Sequence, residues 1–251
     1  MMPALELRGL CKRFGGLTAT DQVNLSIPPG ALHALIGPNG AGKTTLINQV
    51  TGELRHDAGT IFLGGVDVGG LPPWRRVQHG LARTFQIAQL LPDETARDNV
   101  ALAVQARQGH SFHFFADARK NSDTNAQALQ LLQEVGLADR ATARVADLAQ
   151  GERKQLELAA ALAIRPSLLL LDEPMAGLSA VESQAMVELL RRLKGRITMV
   201  LVEHDTEAVF ALADRISVLV YGRVVACGTG DEIRADPVVR TAYLGEGDEE
   251  C

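Results

Sequence analysis

The apolar residues of this chain change their spacing several times along its length, and each change marks an element. The first third alternates in short runs, predicting strands over 4–10 and 21–27, then a break at Pro28-Pro29-Gly30, then a continuous apolar strand from Ala31 to Ile36. That strand runs into a glycine-rich turn, after which Lys43, Thr44, Thr45, Leu46, Ile47 and Val50 can continue as a helix. From about residue 87 to 149 strand-like runs become scarce. Ala, Leu and Gln dominate, and Ala128, Leu131, Leu132 and Val135 share the spacing of one helical face, so this stretch reads as an inserted helical subdomain. Beyond Gly151 a helical stripe of Leu156, Ala159, Ala160 and Ala163 ends at Pro166, and Leu168 to Leu171 form a strand apolar on both faces.

The last third keeps that alternation. Ser179 with Glu182 three residues later predicts a capped helix whose buried face is Met186, Leu189, Leu190 and Leu193. Ile197 to Val202 follow as another buried strand, and Asp205 can cap a short helix. Residues 216–220 and 224–227 flank Tyr221-Gly222-Arg223 as a hairpin. Buried strands alternating with helices imply an α/β core around a parallel sheet. The acidic stretch 245–251 is expected to fray, and no internal repeat is visible.

Composition narrows the function classes. The 251 residues, 46% of them hydrophobic, suffice for one globular unit with a sizeable core. No run approaches the roughly 20 apolar residues that span a bilayer, and the N-terminal residues lack a basic-then-apolar leader, so the chain is expected to stay cytoplasmic. Cys11, Cys227 and Cys251 are odd in number and irregularly spaced, which suggests reduced thiols and neither a disulfide framework nor a zinc site. The formal charge of −5 gives no footprint for a nucleic-acid backbone.

Two segments carry chemistry. Gly37-Pro38-Asn39-Gly40-Ala41-Gly42-Lys43-Thr44 matches the phosphate-binding P-loop, in which backbone N–H groups and a helix N-terminus converge on phosphate oxygens. Glycine is required where a Cβ would hold the backbone off the anion. Lys43 can reach the β and γ phosphates, and the Thr44 hydroxyl can take one coordination site of Mg²⁺. In the second segment Leu168 to Leu171 drive a strand through the core and deliver Asp172 and Glu173 at its C-terminal end, where ligands of parallel α/β sheets bind. Asp172 is suited to hold Mg²⁺ through water and Glu173 to orient or deprotonate an attacking water. Two solvated acids at a strand end are the bland alternative.

Taken with Leu148-Ala149-Gln150-Gly151-Glu152, with Gln86 after Thr84-Phe85, and with His204 in Val202-Glu203-His204-Asp205, these segments resemble the nucleotide-binding subunits of ABC transporters. The family order of P-loop, glutamine loop, signature, acidic strand and switch histidine is kept, and the resemblance spans essentially the whole chain. Arg83-Thr84-Phe85-Gln86, residues 173–178 and the ending Ala242-Tyr243-Leu244-Gly245-Glu246 look most like the branched-chain amino acid uptake group. The implied fold is a P-loop NTPase core of ABC type with a small antiparallel β layer and the inserted helical subdomain.

The resemblance implies roles for further residues. Gln86 would sense Mg²⁺ or the lytic water and signal to the helical subdomain; His204 would contact the γ-phosphate; Phe14 would stack on adenine, although a packing phenylalanine would look the same. Thr45 and the P-loop residues would complete the ATP cradle. The signature departs from the common Leu-Ser-Gly-Gly-Gln pattern: Ala149 replaces the serine, Gln150 the first glycine and Glu152 the glutamine, while Gly151 and the helix N-terminus are kept. Ser179 stands where an aspartate is frequent, and its capping role is reason enough for it. His110-Ser111-Phe112-His113-Phe114-Phe115 is either a membrane-subunit contact or subdomain core.

The working form implied is a head-to-tail pair, this chain with itself or a sibling ATPase, binding two ATP with Mg²⁺ and coupled to integral membrane permease subunits on the inner face of the membrane. Two other classes stay open on residues alone: a soluble ABC-type ATPase acting on nucleic acid or ribosomes, and a module that binds ATP without turning it over.

Overall fold

The computed structural model describes residues 2–84, 90–108 and 122–241. Its frame is a six-stranded sheet built on three strands that are buried along their whole length: β3 (Leu32–Ile36), β7 (Leu168–Asp172) and β8 (Thr198–Val202). With β6 (Leu81–Arg83), β9 (Arg215–Val220) and β10 (Arg223–Gly228) they run in the order β10-β9-β3-β8-β7-β6, all parallel except the β9–β10 hairpin. Successive side chains of a strand point to opposite faces, so β7 feeds two cores. Leu168 and Leu170 join a cluster with Leu46, Ile47 and Val50 of α1 (Lys43–Thr51). Leu169 and Leu171 join a second cluster with Leu156 and Ala159 of α5 (Gln150–Ala163) and Leu189 and Leu190 of α6 (Ala180–Leu193). Each such leucine contributes about 1.5–3 kcal/mol of burial, which is why this segment tolerates no polar residue before Asp172.

A four-stranded antiparallel sheet, β2-β1-β4-β5, closes the α1 face: β1 (Leu5–Phe14), β2 (Leu17–Ile27), β4 (Ala58–Leu63) and β5 (Val66–Asp67). The β1–β2 hairpin reaches much further than the alternation of residues predicts. Register shifts between Leu7 and Leu10 and again around Lys12, with Gly9 and Gln22 at positive φ, throw the pattern out of phase while the strands stay paired. Nothing in the periodicity marks β4, β5 or the short helix α2 (Pro73–Gln78); β4 is placed by its pairing with the distant β1, and β5 by a tight hairpin with β4.

On the opposite face α3 (Ala96–Gln108) and α4 (Ser122–Glu134) pack against α5 through Val100, Val104, Ala128, Leu132 and Leu156. Ser179 caps α6 by accepting from the Glu182 amide, with the Glu182 carboxylate accepting in return from Ser179, and Asp205 caps α7 (Thr206–Leu212) through the Ala208 amide. A further capped turn of helix, α8 (Gly230–Ala235), follows β10. Among the described residues no helix is long and apolar enough to cross a membrane, and Cys11 and Cys227 are free thiols. The phenylalanine-rich stretch 110–115 and the acidic ending lie outside the described residues.

Candidate functional site

The site begins where β3 gives way to α1. Gly37 and Gly42 adopt φ of 153° and 104°, and a Cβ on them would sit 2.0 Å from the Leu219 carbonyl oxygen and 2.2 Å from that of Ala19. The loop is thus pressed between β9 and β2, and only glycine fits at these two points. No side chain caps α1 and no acidic residue sits in its first turn, so the positive end of the helix is left for an external anion. The other end is satisfied internally: the buried Arg76 guanidinium donates to the carbonyls of Gln49 at 2.7 Å and Val50 at 2.8 Å.

Lys43, only 7% exposed, donates from Nζ to the carbonyl oxygens of Gly37 at 2.5 Å and Pro38 at 3.2 Å. Burial pushes its pKa down, while the charges of Glu173 and Asp172 pull it back up, which places both carboxylates in its field. A cavity of about 360 Å³ opens over the loop and is lined by Phe14, Asn39, Gly40, Ala41, Gly42, Lys43, Thr44, Thr45, Glu173 and His204, with Leu17, Thr18 and Ala19 from the hairpin. Half-exposed Phe14 and exposed Leu17 supply its apolar wall. The fold therefore gathers one loop, two strand ends and the tip of a hairpin around one volume.

Glu173 has φ of 49°, an uncommon conformation for a residue with a Cβ, held by its amide donating to the Val202 carbonyl at 2.8 Å. Its Oε1 lies 3.0 Å from His204 Nε2. The turn that sets this pair is built on Glu203, whose buried carboxylate accepts from the amides of Met175 at 2.8 Å and His204 at 3.0 Å. Burial raises the Glu203 pKa, and those amides act against the rise. Asp172 is also buried and forms an ion pair at 2.8 Å with Arg83, which reaches Asn48 as well.

The signature residues stand apart from this cavity. At the N-terminus of α5 the Ala149 amide donates to Glu152 Oε2 at 2.8 Å, Gln150 Nε2 to the Ala176 carbonyl at 3.4 Å, and the Gly151 amide to Glu182 Oε1 at 3.3 Å. Gln86 lies outside the described residues. Residue types alone assign no role to Arg83, Asn48 or Glu203. For Glu203 a signal existed, a carboxylate at the end of the apolar run Met199 to Val202; for Arg83 and Asn48 it arises only once β6 and α1 are brought together.

Among the described residues no cluster of three or more His, Cys, Asp or Glu side chains could hold a metal, so a cation here would draw most of its oxygens from phosphate and water. One hydroxyl and one carboxylate, Thr44 and Asp172, suit Mg²⁺ in that manner.

A glycine loop at an uncapped helix N-terminus, with a hydrogen-bonded acid and histidine lining the same cavity, is suited to a nucleotide-hydrolysing cassette, and comparison with known proteins agrees. The ABC transporter family profile matches residues 20–176, and that of the branched-chain amino acid ATP-binding cassette transporters matches residues 223–249. The chain belongs to the ABC transporter family and is one of its ATP-binding, ATP-hydrolysing subunits. It is 38% identical to the high-affinity branched-chain amino acid transport ATP-binding protein BraF of Pseudomonas aeruginosa, over 97% of this chain and 98% of that one. The corresponding protein LivG of Escherichia coli is likewise 38% identical, with the same coverage. The crystal structure of the ADP conformation of an ATP-binding cassette of an ABC transporter superposes with a TM-score of 0.85, at 29% identity, over 98% of this chain and 100% of that one.

Proposed function

We propose that this chain drives the uptake of branched-chain amino acids or closely related small solutes, working on the cytoplasmic face of the membrane with integral permease subunits and a second ATP-binding subunit, itself or a sibling. The observation that carries the catalytic part is the Glu173–His204 pair, 3.0 Å apart on the rim of the cavity that the P-loop floors. The amides of residues 39–45 and the end of α1 cradle the triphosphate, Lys43 exchanges its two loop carbonyls for phosphate oxygens, and Phe14 stacks on the base. Thr44, Asp172 and Gln86 are the residues that would hold Mg²⁺, which would neutralise phosphate charge.

Hydrolysis then needs one proton accepted and one bond exchanged. Water attacks the γ-phosphorus, its proton passes to the Glu173 carboxylate, and the bridging oxygen leaves with ADP. His204 holds that carboxylate through Oε1 and lines the same cavity, where it would contact the γ-phosphate. Ala149, Gln150 and Gly151 at the α5 N-terminus serve the ATP of the paired subunit, backbone donors standing in for the absent serine hydroxyl. Closing on ATP and opening after hydrolysis would then move the α3–α5 helices against the permease.

The solute assignment is supported by the relatives' names and the match at residues 223–249. Its test is uptake of labelled leucine, isoleucine, valine and small amides in a strain lacking this chain, with detergent co-purification of the tagged protein. Loss of one such uptake and recovery of integral membrane partners are expected. Normal uptake of all of them would overturn the solute, and recovery of RNA or ribosomes would overturn the transport role.

A further inference from the structure

Strand β6 is three residues long and pairs in parallel with β7, so that Arg83 lies beside Leu170. Paired residues share a face, and Leu170 faces the α1 core; Asp172, two residues on, shares that face too. The Arg83 side chain runs along this face and divides its guanidinium. Nη2 donates to Asp172 Oδ2 at 2.8 Å, and Nη1 to Asn48 Oδ1 and to Glu53 Oε2, both at 2.8 Å. The Arg83 and Asp172 side chains are 10% and 6% exposed, so this contact is hardly screened. Asn48 lies four residues after Thr44 on α1, one helical turn along the same face.

One planar group thus joins the strand end that carries Asp172 to the helix that carries Thr44. We infer that Arg83 is a positioning residue for the divalent cation, fixing the Asp172 carboxylate relative to the Thr44 hydroxyl while leaving Oδ1 for the cation's water shell. The inference rests on the proposed metal role of Asp172 and deepens it. Lysine cannot replace the fork, because a single ammonium cannot hold Asp172 and Asn48 in the fixed angle that a guanidinium imposes. Removing Asn48 leaves the charge beside Asp172 but unties it from α1.

The test separates cation dependence from nucleotide binding in the full-length chain. Binding of a fluorescent ATP analogue is measured in EDTA and then across a Mg²⁺ titration, for wild type, Arg83→Lys, Arg83→Met, Asn48→Ala and Asp172→Asn. Binding in EDTA should stay within about twofold of wild type in Arg83→Lys and Asn48→Ala, while half-saturating Mg²⁺ rises about tenfold or more in Arg83→Lys, as expected when a support of a metal ligand is lost. Asn48→Ala should shift it in the same direction by less. A purely structural role would lower stability and weaken binding in EDTA without moving the Mg²⁺ midpoint. Should Arg83→Met fail to fold, Arg83→Lys and Asn48→Ala decide. An unshifted midpoint in both, beside a shifted one in Asp172→Asn, overturns the positioning role alone; an unshifted Asp172→Asn overturns the metal assignment beneath it.

Discussion

Lys43 shows how a single residue is held ready for a ligand. Its ammonium is buried against two loop carbonyls and lies in the field of Asp172 and Glu173, so its charge is balanced before any phosphate arrives. Lys43→Ala is expected to weaken ATP binding about 10–100-fold, the loss of a charge-assisted contact worth roughly 1.5–3 kcal/mol. Equilibrium binding of labelled ATP checks this, and unchanged affinity would contradict the phosphate role. The residues read from sequence at this scale were those whose type and neighbours are informative together: the glycines, Lys43, Asp172, Glu173, His204. Arg83 and Asn48 carry no such local mark, and Glu203 carries only its place at the end of a buried strand. Their significance comes from partners 30 to 89 positions away in the chain for Arg83, and from three backbone amides around a turn for Glu203.

At the scale of elements, α1 is polarised by its surroundings. Its N-terminus is uncapped by any side chain beneath the cavity, and its C-terminus is closed by Arg76. The loop feeding it is pinned at Gly37 and Gly42 by backbone of β9 and β2. Gly37→Ala is therefore expected to displace the loop: neither the Leu219 carbonyl nor the new Cβ can give way, and positive φ adds strain. A loss of roughly 3 kcal/mol or more in urea unfolding, with ATP binding impaired, is the outcome sought; wild-type stability and affinity would contradict the close packing. The buried strands β3, β7 and β8 and the capped helices α6 and α7 were legible because their patterns are local. The hairpin extension and β4, β5, α2 and β6 were not, since bulges broke the alternation of the hairpin, β4 and α2 lack a continuous apolar run, and β5 and β6 are too short to show a period.

For the whole molecule, two buried titratable groups set opposing trends with pH. His33 hydrogen-bonds Ser217 at 2.9 Å in the core, and burial with the nearby Arg215 charge lowers its pKa from 6.5 to about 4. Its contribution is full above pH 6.5 and is lost as pH falls toward 4. Glu157 on α5 is buried, and burial raises its pKa from 4.5 to about 7 against the opposing charge of Lys154. Its contribution is full below pH 4.5 and is lost as pH rises through 7, so the two slopes oppose each other over most of the same window, each worth on the order of 3 kcal/mol. Relative to wild type, Glu157→Gln should gain stability between pH 4.5 and 7.5, and His33→Gln should gain as pH falls below 6.5. Urea unfolding at pH 4.5, 5.5 and 7.5 reads both differences, and curves parallel to wild type would contradict the assignment.

Under the proposed function turnover is a property of an assembly, with Glu173 proposed as the proton acceptor within each site. Replacing Glu173 by glutamine keeps its size and removes its capacity to take a proton from water, along with a negative charge near the γ-phosphate. The decisive measurement is phosphate release by Glu173→Gln and by wild type, each in complex with the co-purified subunits, with the association state followed by sedimentation in ATP and Mg²⁺. The account predicts ATP binding at wild-type strength, phosphate release reduced at least about 100-fold and a persistent pair of ATP-binding subunits. Hydrolysis by Glu173→Gln at the wild-type rate would contradict it.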